Sequence, residues 1–333
     1  MQTQELEVFL INWGLLHQGT YMYGVDLSYL RDGRISYRQD YLPIGTVIHS
    51  WYSQTNFQAN RDVPRLPILK RGIDYRLKLN IETNKGHVPY LRLTFFNRRK
   101  EIVAYKIIKE DSADFSLPEE TFSYQIDLIN AGCQDFIFDS ILLYNKASQA
   151  FMADAYVAIN ALNHESLAVA SELIVFLLEN KDGQLMPQSL KSLNQLGNVL
   201  VMGVTQLNHL SYLGDKFVNF VAQTIYKEAP DFLDKGIHFI GTGPKSDCVV
   251  ILMEDAFEQG KATCSGYPDF DKELMSDIES LSNDLERVKE LLEVNNHFKA
   301  KPFIKSEQQD DSFALVEGLL RPHHYLAKLS EKN

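Results

Sequence analysis

The sequence predicts a multidomain α+β protein, with an antiparallel β-sandwich over residues 1–150 followed by an α/β domain over residues 155–333. Three observations predict this. Segments in the first half alternate apolar and polar residues with period 2, the signature of strands with one buried face. Turn residues separate these segments at short, even intervals. After about residue 155, continuous apolar runs alternate with amphipathic stretches, as expected of strands covered on both faces of a parallel sheet. At 333 residues the chain is also longer than one core usually supports.

In chain order, "GVDLSYL" and "RISYRQ" are joined by Arg31, Asp32 and Gly33, which are turn formers. Lys70, Arg71 and Gly72 precede the strand Asp74–Glu82, where Tyr75, Leu77, Leu79 and Ile81 point one way and Arg76, Lys78, Asn80 and Glu82 the other. "VPYLRLTFF" aligns Leu91, Leu93 and Phe95, and the turn Asn97–Lys100 leads into "EIVAYKII". "TFSYQIDLI" interleaves Phe122, Tyr124, Ile126 and Leu128 with Ser123, Gln125 and Asp127. About eight such strands make a sandwich or jelly roll.

In the second half, strands are predicted at Leu173–Leu178, Val199–Val204, Ile237–Gly241 and Val249–Met253, and helices at Pro187–Leu196 and Asp215–Tyr226. A long C-terminal helix follows, with Leu274, Ile278, Leu281, Leu285, Val288 and Leu292 forming a heptad seam. It serves either to cap its own domain or as a ridge for a partner protein. Residues 301–311 read as a polar tail, with "FALVEGLL" able to dock again after it.

Charge and cysteine usage narrow the function classes. Residues 1–150 carry 17 Lys and Arg against 17 Asp and Glu, so the whole net charge of −11 falls in the remainder. An acidic surface repels nucleic acid and anionic lipid, and neither is expected as a partner. Cys133, Cys248 and Cys264 show no metal or disulfide spacing and fit a reducing compartment. "MQTQELEVF" lacks the features of a secretory signal, and the runs "IVFLL" and "VVILM" are too short to span a bilayer, so a cytoplasmic protein is expected.

Catalytic motifs are not evident. The chain has no Gly-x-Ser-x-Gly, His-Glu-x-x-His, Walker or Gly-x-Gly-x-x-Gly sequence, and no cofactor is expected. His49, His164, His209, His238, His323 and His324 lack the spaced partners of a triad or metal cage. In "IHFIGTGPKSD", Gly241, Thr242, Gly243 and Lys245 follow a predicted strand and could hold an anion, or could simply form a glycine turn. "SWYSQTNFQ" sets Trp51, Tyr52 and Phe57 beside Gln54, Asn56 and Gln58, a composition suited to the flat faces and hydroxyls of a sugar. In a strand Trp51 and Tyr52 face opposite ways, so Trp51 is either core or a sugar platform.

The segments "INWGLLHQGTYMYG", "LPIGTVIHSWYSQTNFQANRDVPRLPILKRGIDYRL", "LRLTFFNR" and "FSYQIDLINAGCQDFIFDSILLY", from Asn12 to Tyr144, together resemble the third accessory Sec system protein family of Gram-positive bacteria. The resemblance implies a non-enzymatic cytosolic subunit that joins sister accessory proteins and assists an accessory translocation ATPase. It acts peripherally at the membrane without a spanning helix. Its cargo would be a serine-rich-repeat adhesin glycosylated before export, and its sandwich would be similar to carbohydrate-binding modules. The resemblance thereby implies carbohydrate or partner binding near Trp51, Tyr52, Gln54, Asn56, Phe57 and Gln58. Two other readings stay open: a sugar-nucleotide enzyme using Gly241–Lys245, and a free-standing lectin.

Overall fold

The computed structural model describes residues 7–14, 19–30, 32–55, 63–83, 87–162, 172–179, 183–184, 198–208, 210–213 and 215–264. The described residues form two compact units, one within Glu7–Gln149 with Gln206–Asn208 and the other within Ala150–Thr205 and residues 210–264.

The first unit contains β1 (Val8–Ile11), β2 (Asp26–Tyr29), β3 (Ile35–Arg38), β4 (Val47–Tyr52), β5 (Asp74–Thr83), β6 (Tyr90–Phe96), β7 (Ile102–Ile108), β8 (Ser112–Ser116), β9 (Ser123–Ile129) and β10 (Asp135–Asn145). Every pairing among them is antiparallel. β10 is the spine of one sheet: its first half pairs with β3, its second half with β1, and nearly its whole length with β5. It is buried almost throughout and lacks the alternation of β5. The other sheet runs β4-β9-β6-β7.

The predicted alternation is what builds the core between these sheets. Tyr75, Leu77 and Leu79 of β5 meet Leu91, Leu93 and Phe95 of β6 and Tyr124, Ile126 and Leu128 of β9 in one buried cluster. Each side chain so buried contributes about 1.5–3 kcal/mol. Turn chemistry sets the register at two points: Gly33, at φ 91°, closes the β2–β3 hairpin, and Lys100, at φ 64°, closes β6–β7 by donating its amide to the Asn97 carbonyl.

The second unit contains β11 (Met152–Ala153), β12 (Tyr156–Ala161), β13 (Leu173–Leu178), β14 (Gly183–Gln184), β15 (Val199–Val204), α1 (Leu210–Leu213), α2 (Asp215–Glu228), β16 (Ile237–Gly241), α3 (Pro244–Ala256) and β17 (Gly260–Thr263). Its main sheet has the order β11-β12-β15-β13-β16-β17. β15, β13, β16 and β17 are parallel, while β12 and β11 run antiparallel at one edge. The predicted strands at Leu173–Leu178, Val199–Val204 and Ile237–Gly241 are β13, β15 and β16. The predicted helix Asp215–Tyr226 is α2, which extends to Glu228 and buries Phe217, Val221 and Ile225 at helical spacing.

One element differs in kind. Val249–Met253, predicted as a strand, lies inside α3. Cys248, Val249, Val250, Ile251 and Met253 are all buried, so no polar face breaks the run, and a short all-apolar stretch has no period that separates helix from strand. The flanks decide it, because Pro244 fits a helix first turn and Ser246 caps it. The fourth parallel strand is instead β17, too short and mixed to announce itself. The predicted helix Pro187–Leu196, the heptad helix from Leu274 to Leu292 and the tail 301–311 lie outside the described residues.

Candidate binding face of the sandwich

β4 carries the aromatic pair singled out in the sequence, and its register fixes where each residue points. Trp51 pairs with Ile126 and Tyr52 with Gln125, so they face opposite sides of the sheet. Trp51 is 1% exposed and belongs to the core. Its ring stacks on Phe138 at 5.4 Å and meets His49 edge-on at 4.4 Å, and its Nε1 donates to the Asn12 carbonyl at 2.7 Å. With its polar atom satisfied inside, Trp51 is a packing residue and no sugar platform. Tyr52 is half-buried on the opposite side, and Gln54 is exposed just past the strand. Asn56, Phe57 and Gln58 lie outside the described residues.

The side of the sheet that Tyr52 shares is polar and ordered into two rows. One row crosses the strands as Ile107, Arg92, Asp127 and Ser50, and the next as Tyr105, Thr94, Gln125 and Tyr52. With strands about 4.8 Å apart, the two tyrosines stand about 14 Å from each other across the sheet. Asp127 anchors the rows. It is 1% exposed, and its carboxylate accepts from Ser50 Oγ at 2.6 Å, Gln125 Nε2 at 2.5 Å, and Arg92 Nε and Nη2 at 3.1 and 2.8 Å. A buried carboxylate is tolerated only when its lone pairs are filled in this way. The result fixes Arg92, whose side chain is 40% exposed, and Gln125 in set orientations. Thr94 and Ser50 are buried, so the groups left exposed are the two rings with the Gln125 amide and the Arg92 guanidinium between them, a set that suits a polar, hydroxyl-rich ligand.

Among these residues the sequence points to Tyr52 alone. Gln125 and Asp127 are legible as the polar positions of "TFSYQIDLI" and Tyr105 as part of "EIVAYKII", yet nothing in the sequence states which strands are neighbours.

His49 and His238 each lie beside a threonine hydroxyl. His49 is buried, stacked on Trp13 at 4.4 Å and 2.5 Å from Thr20 Oγ1 through Nδ1, and desolvation, the largest influence on it, brings its pKa down to about 3. His238 Nε2 lies 2.8 Å from Thr263 Oγ1, and burial also lowers its pKa. His164, His209, His323 and His324 lie outside the described residues. Cys133, Cys248 and Cys264 are free and buried, with thiol pKa values raised by burial. Among the described residues no group of three His, Cys, Asp or Glu could hold a metal ion.

The predicted anion site is present as a shape, with an occupant supplied by the chain itself. Gly241, Thr242 and Gly243 join β16 to α3, and β13 ends immediately before Glu179. Glu179 Oε2 accepts the backbone amides of Lys245 at 2.7 Å and Ser246 at 3.1 Å, in the first turn of α3. Thr242 Oγ1 accepts the Glu179 amide at 2.7 Å and donates to the Leu177 carbonyl at 3.2 Å. A side chain at Gly243 would meet the Glu179 carboxylate at 2.7 Å. Lys245 Nζ lies over the Tyr212 ring at 5.7 Å. Of the amides expected to cradle a foreign anion, those of Thr242 and Gly243 donate to Ser246 Oγ at 2.9 and 3.0 Å and that of Lys245 donates to Glu179.

Comparisons with known proteins bear on the sandwich above all. Residues 20–145 match the family described as Accessory Sec secretory system ASP3. An accessory Sec system protein of that name from Streptococcus gordonii is 34% identical over 119 residues, covering 36% of this chain and 75% of that protein. A solved structure of accessory secretory protein 1, 2 and 3 in Streptococcus pneumoniae is 33% identical and covers 44% of this chain and 97% of that chain, at a TM-score of 0.39. A Glycosylation Associate Protein (Gap123) complex from Streptococcus agalactiae is 23% identical and covers 96% of this chain and 98% of that chain, at a TM-score of 0.55, which is a likeness of fold. No helix among the described residues is long and apolar enough to cross a membrane.

Proposed function

Because the chain belongs to the ASP3 family of the accessory Sec secretory system, we propose that it is a non-enzymatic subunit of an accessory Sec export complex. It binds sister accessory proteins, assists the accessory translocation ATPase, and acts in the cytoplasm, peripherally at the membrane translocation machinery. The observation that carries this reading is the match of residues 20–145 to the family, with a relative 34% identical that is covered over 75% of its length. The cargo is a glycosylated serine-rich-repeat adhesin. Tyr52, Gln125 and Tyr105, with Gln125 and Arg92 oriented by Asp127, offer it a surface with the chemistry of glycan recognition.

The test is reconstitution. The purified chain and its sister subunits should co-migrate in gel filtration. The complex should bind a serine-rich-repeat polypeptide carrying its glycan more tightly than the bare polypeptide, and Tyr52→Ala should reduce that preference. Separate elution of the subunits overturns the assignment as a complex subunit. Equal affinity for glycosylated and bare polypeptide overturns glycan recognition alone.

A further inference from the structure

Counted in chain order, the strands of the second unit's main sheet lie 1-2-4-3-5-6, and the second of them, β12, runs against both of its neighbours while the others are parallel. An α/β-hydrolase sheet begins with the same order and the same directions, and its catalytic nucleophile stands on the turn between the fifth strand and the next helix. The corresponding turn here joins β16 to α3, so Gly241-Thr242-Gly243-Pro244-Lys245 lies where Gly-x-Ser-x-Gly would. Gly241 keeps the steric role of the first glycine. A Cβ there would meet the Asp247 carboxylate and, at 3.0 Å, the Asp247 Cα and amide nitrogen, so the helix packs on the strand end with no room for a side chain.

The reactive parts are replaced. At the nucleophile's position is Gly243, which has no side chain and an extended backbone at φ −175°. Of the two amides that would hold an oxyanion, one belongs to the residue after the nucleophile, here Pro244, which has no N–H. The other lies in the loop after the third strand, and there the Glu179 amide donates to Thr242 Oγ1 at 2.7 Å. The Glu179 carboxylate fills the space that remains: Oε2 accepts the Lys245 and Ser246 amides and lies 2.7 Å from where a Cβ of residue 243 would be. We infer that the second unit has the architecture of an α/β-hydrolase in which the Glu179 carboxylate occupies the nucleophile's place and holds the turn closed. A fixed negative charge there opposes the oxyanion that acyl transfer must form, so the centre is closed to ester and amide chemistry. Nothing in this depends on the subunit role proposed above.

A double-mutant cycle in the full chain, read as melting temperature, tests the occupant. Gly243→Ala should lower it by about 5 °C, because the new Cβ meets the carboxylate. In the Glu179→Gly background the same substitution should leave it unchanged or raise it by about 1 °C, since an extended backbone accepts alanine and the unfolded chain loses freedom. A Gly243→Ala chain that fails to fold while the double variant folds supports the same reading. Equal shifts in the two backgrounds overturn it. Incubated with a fluorophosphonate probe and with p-nitrophenyl acetate, the full chain should take no label within β16, α3 or β17 and should hydrolyse the ester no faster than buffer. Label within those elements, or hydrolysis that Ser246→Ala removes, overturns the closed centre. Neither result moves the co-migration of the chain with its sister subunits, on which the subunit reading depends.

Discussion

The two faces of the β4-β9-β6-β7 sheet are made from the same strands yet hold themselves together by different physics. The inner face is fixed by apolar and aromatic packing, with Trp51, Leu93 and Ile126 buried among rings from the opposing sheet. The outer face is fixed by one carboxylate, Asp127, and the donors converging on it. Trp51 and Tyr52 are adjacent in sequence and fall on opposite sides of this division. The aromatic residue that looks most like a ligand platform serves the fold, whereas the polar face has chemistry to spare for a partner.

Removing Trp51 is the most severe way to test this division. Trp51→Ala should cost about 3–5 kcal/mol in urea unfolding, because it leaves a cavity among the surrounding rings and orphans the Asn12 carbonyl. Next is acid. The unfolded chain protonates His49 near its ordinary 6.5, whereas the folded chain holds it neutral down to about 3. The stability this group permits is therefore complete above 6.5 and falls by about 1.4 kcal/mol per pH unit between those values. Unfolding curves at pH 7.5 and 5.0 should differ by about 2 kcal/mol more in the parent than in His49→Gln. Glu179→Gln, which keeps the shape and discards the charge at the start of α3, should cost about 1 kcal/mol in the unfolding of the second unit. Smallest of all, Tyr105→Ala should change stability by less than about 0.5 kcal/mol, since its ring is exposed, and its effect should appear in binding assays.

Elements whose periodicity comes from one buried face are legible in the sequence alone. β5, β6 and β9 follow the quoted alternations, and the all-apolar runs of β13, β15 and β16 mark their own ends. The α3 run reads as a strand because burial on every side erases the period that names a helix. The candidate binding face is half legible. Alternation places Gln125 and Asp127 on one side of β9, but their meeting with Ser50 and Arg92 depends on strand order, and β4, β9 and β6 are neighbours in the sheet without being consecutive in the chain. The anion site is legible as a glycine-flanked helix start. Its filling by Glu179 is hidden because that residue lies on another strand's end, 66 residues away in sequence from Lys245.

Glu179 also bears on how the second unit is built. β13 and β16 lie side by side where the order β15-β13-β16-β17 reverses direction, the position at which parallel sheets with this arrangement usually seat a phosphorylated small molecule. Here the carboxyl group at that position is a side chain of the protein, so the first turn of α3 is tied to the end of β13 by hydrogen bonds within the chain.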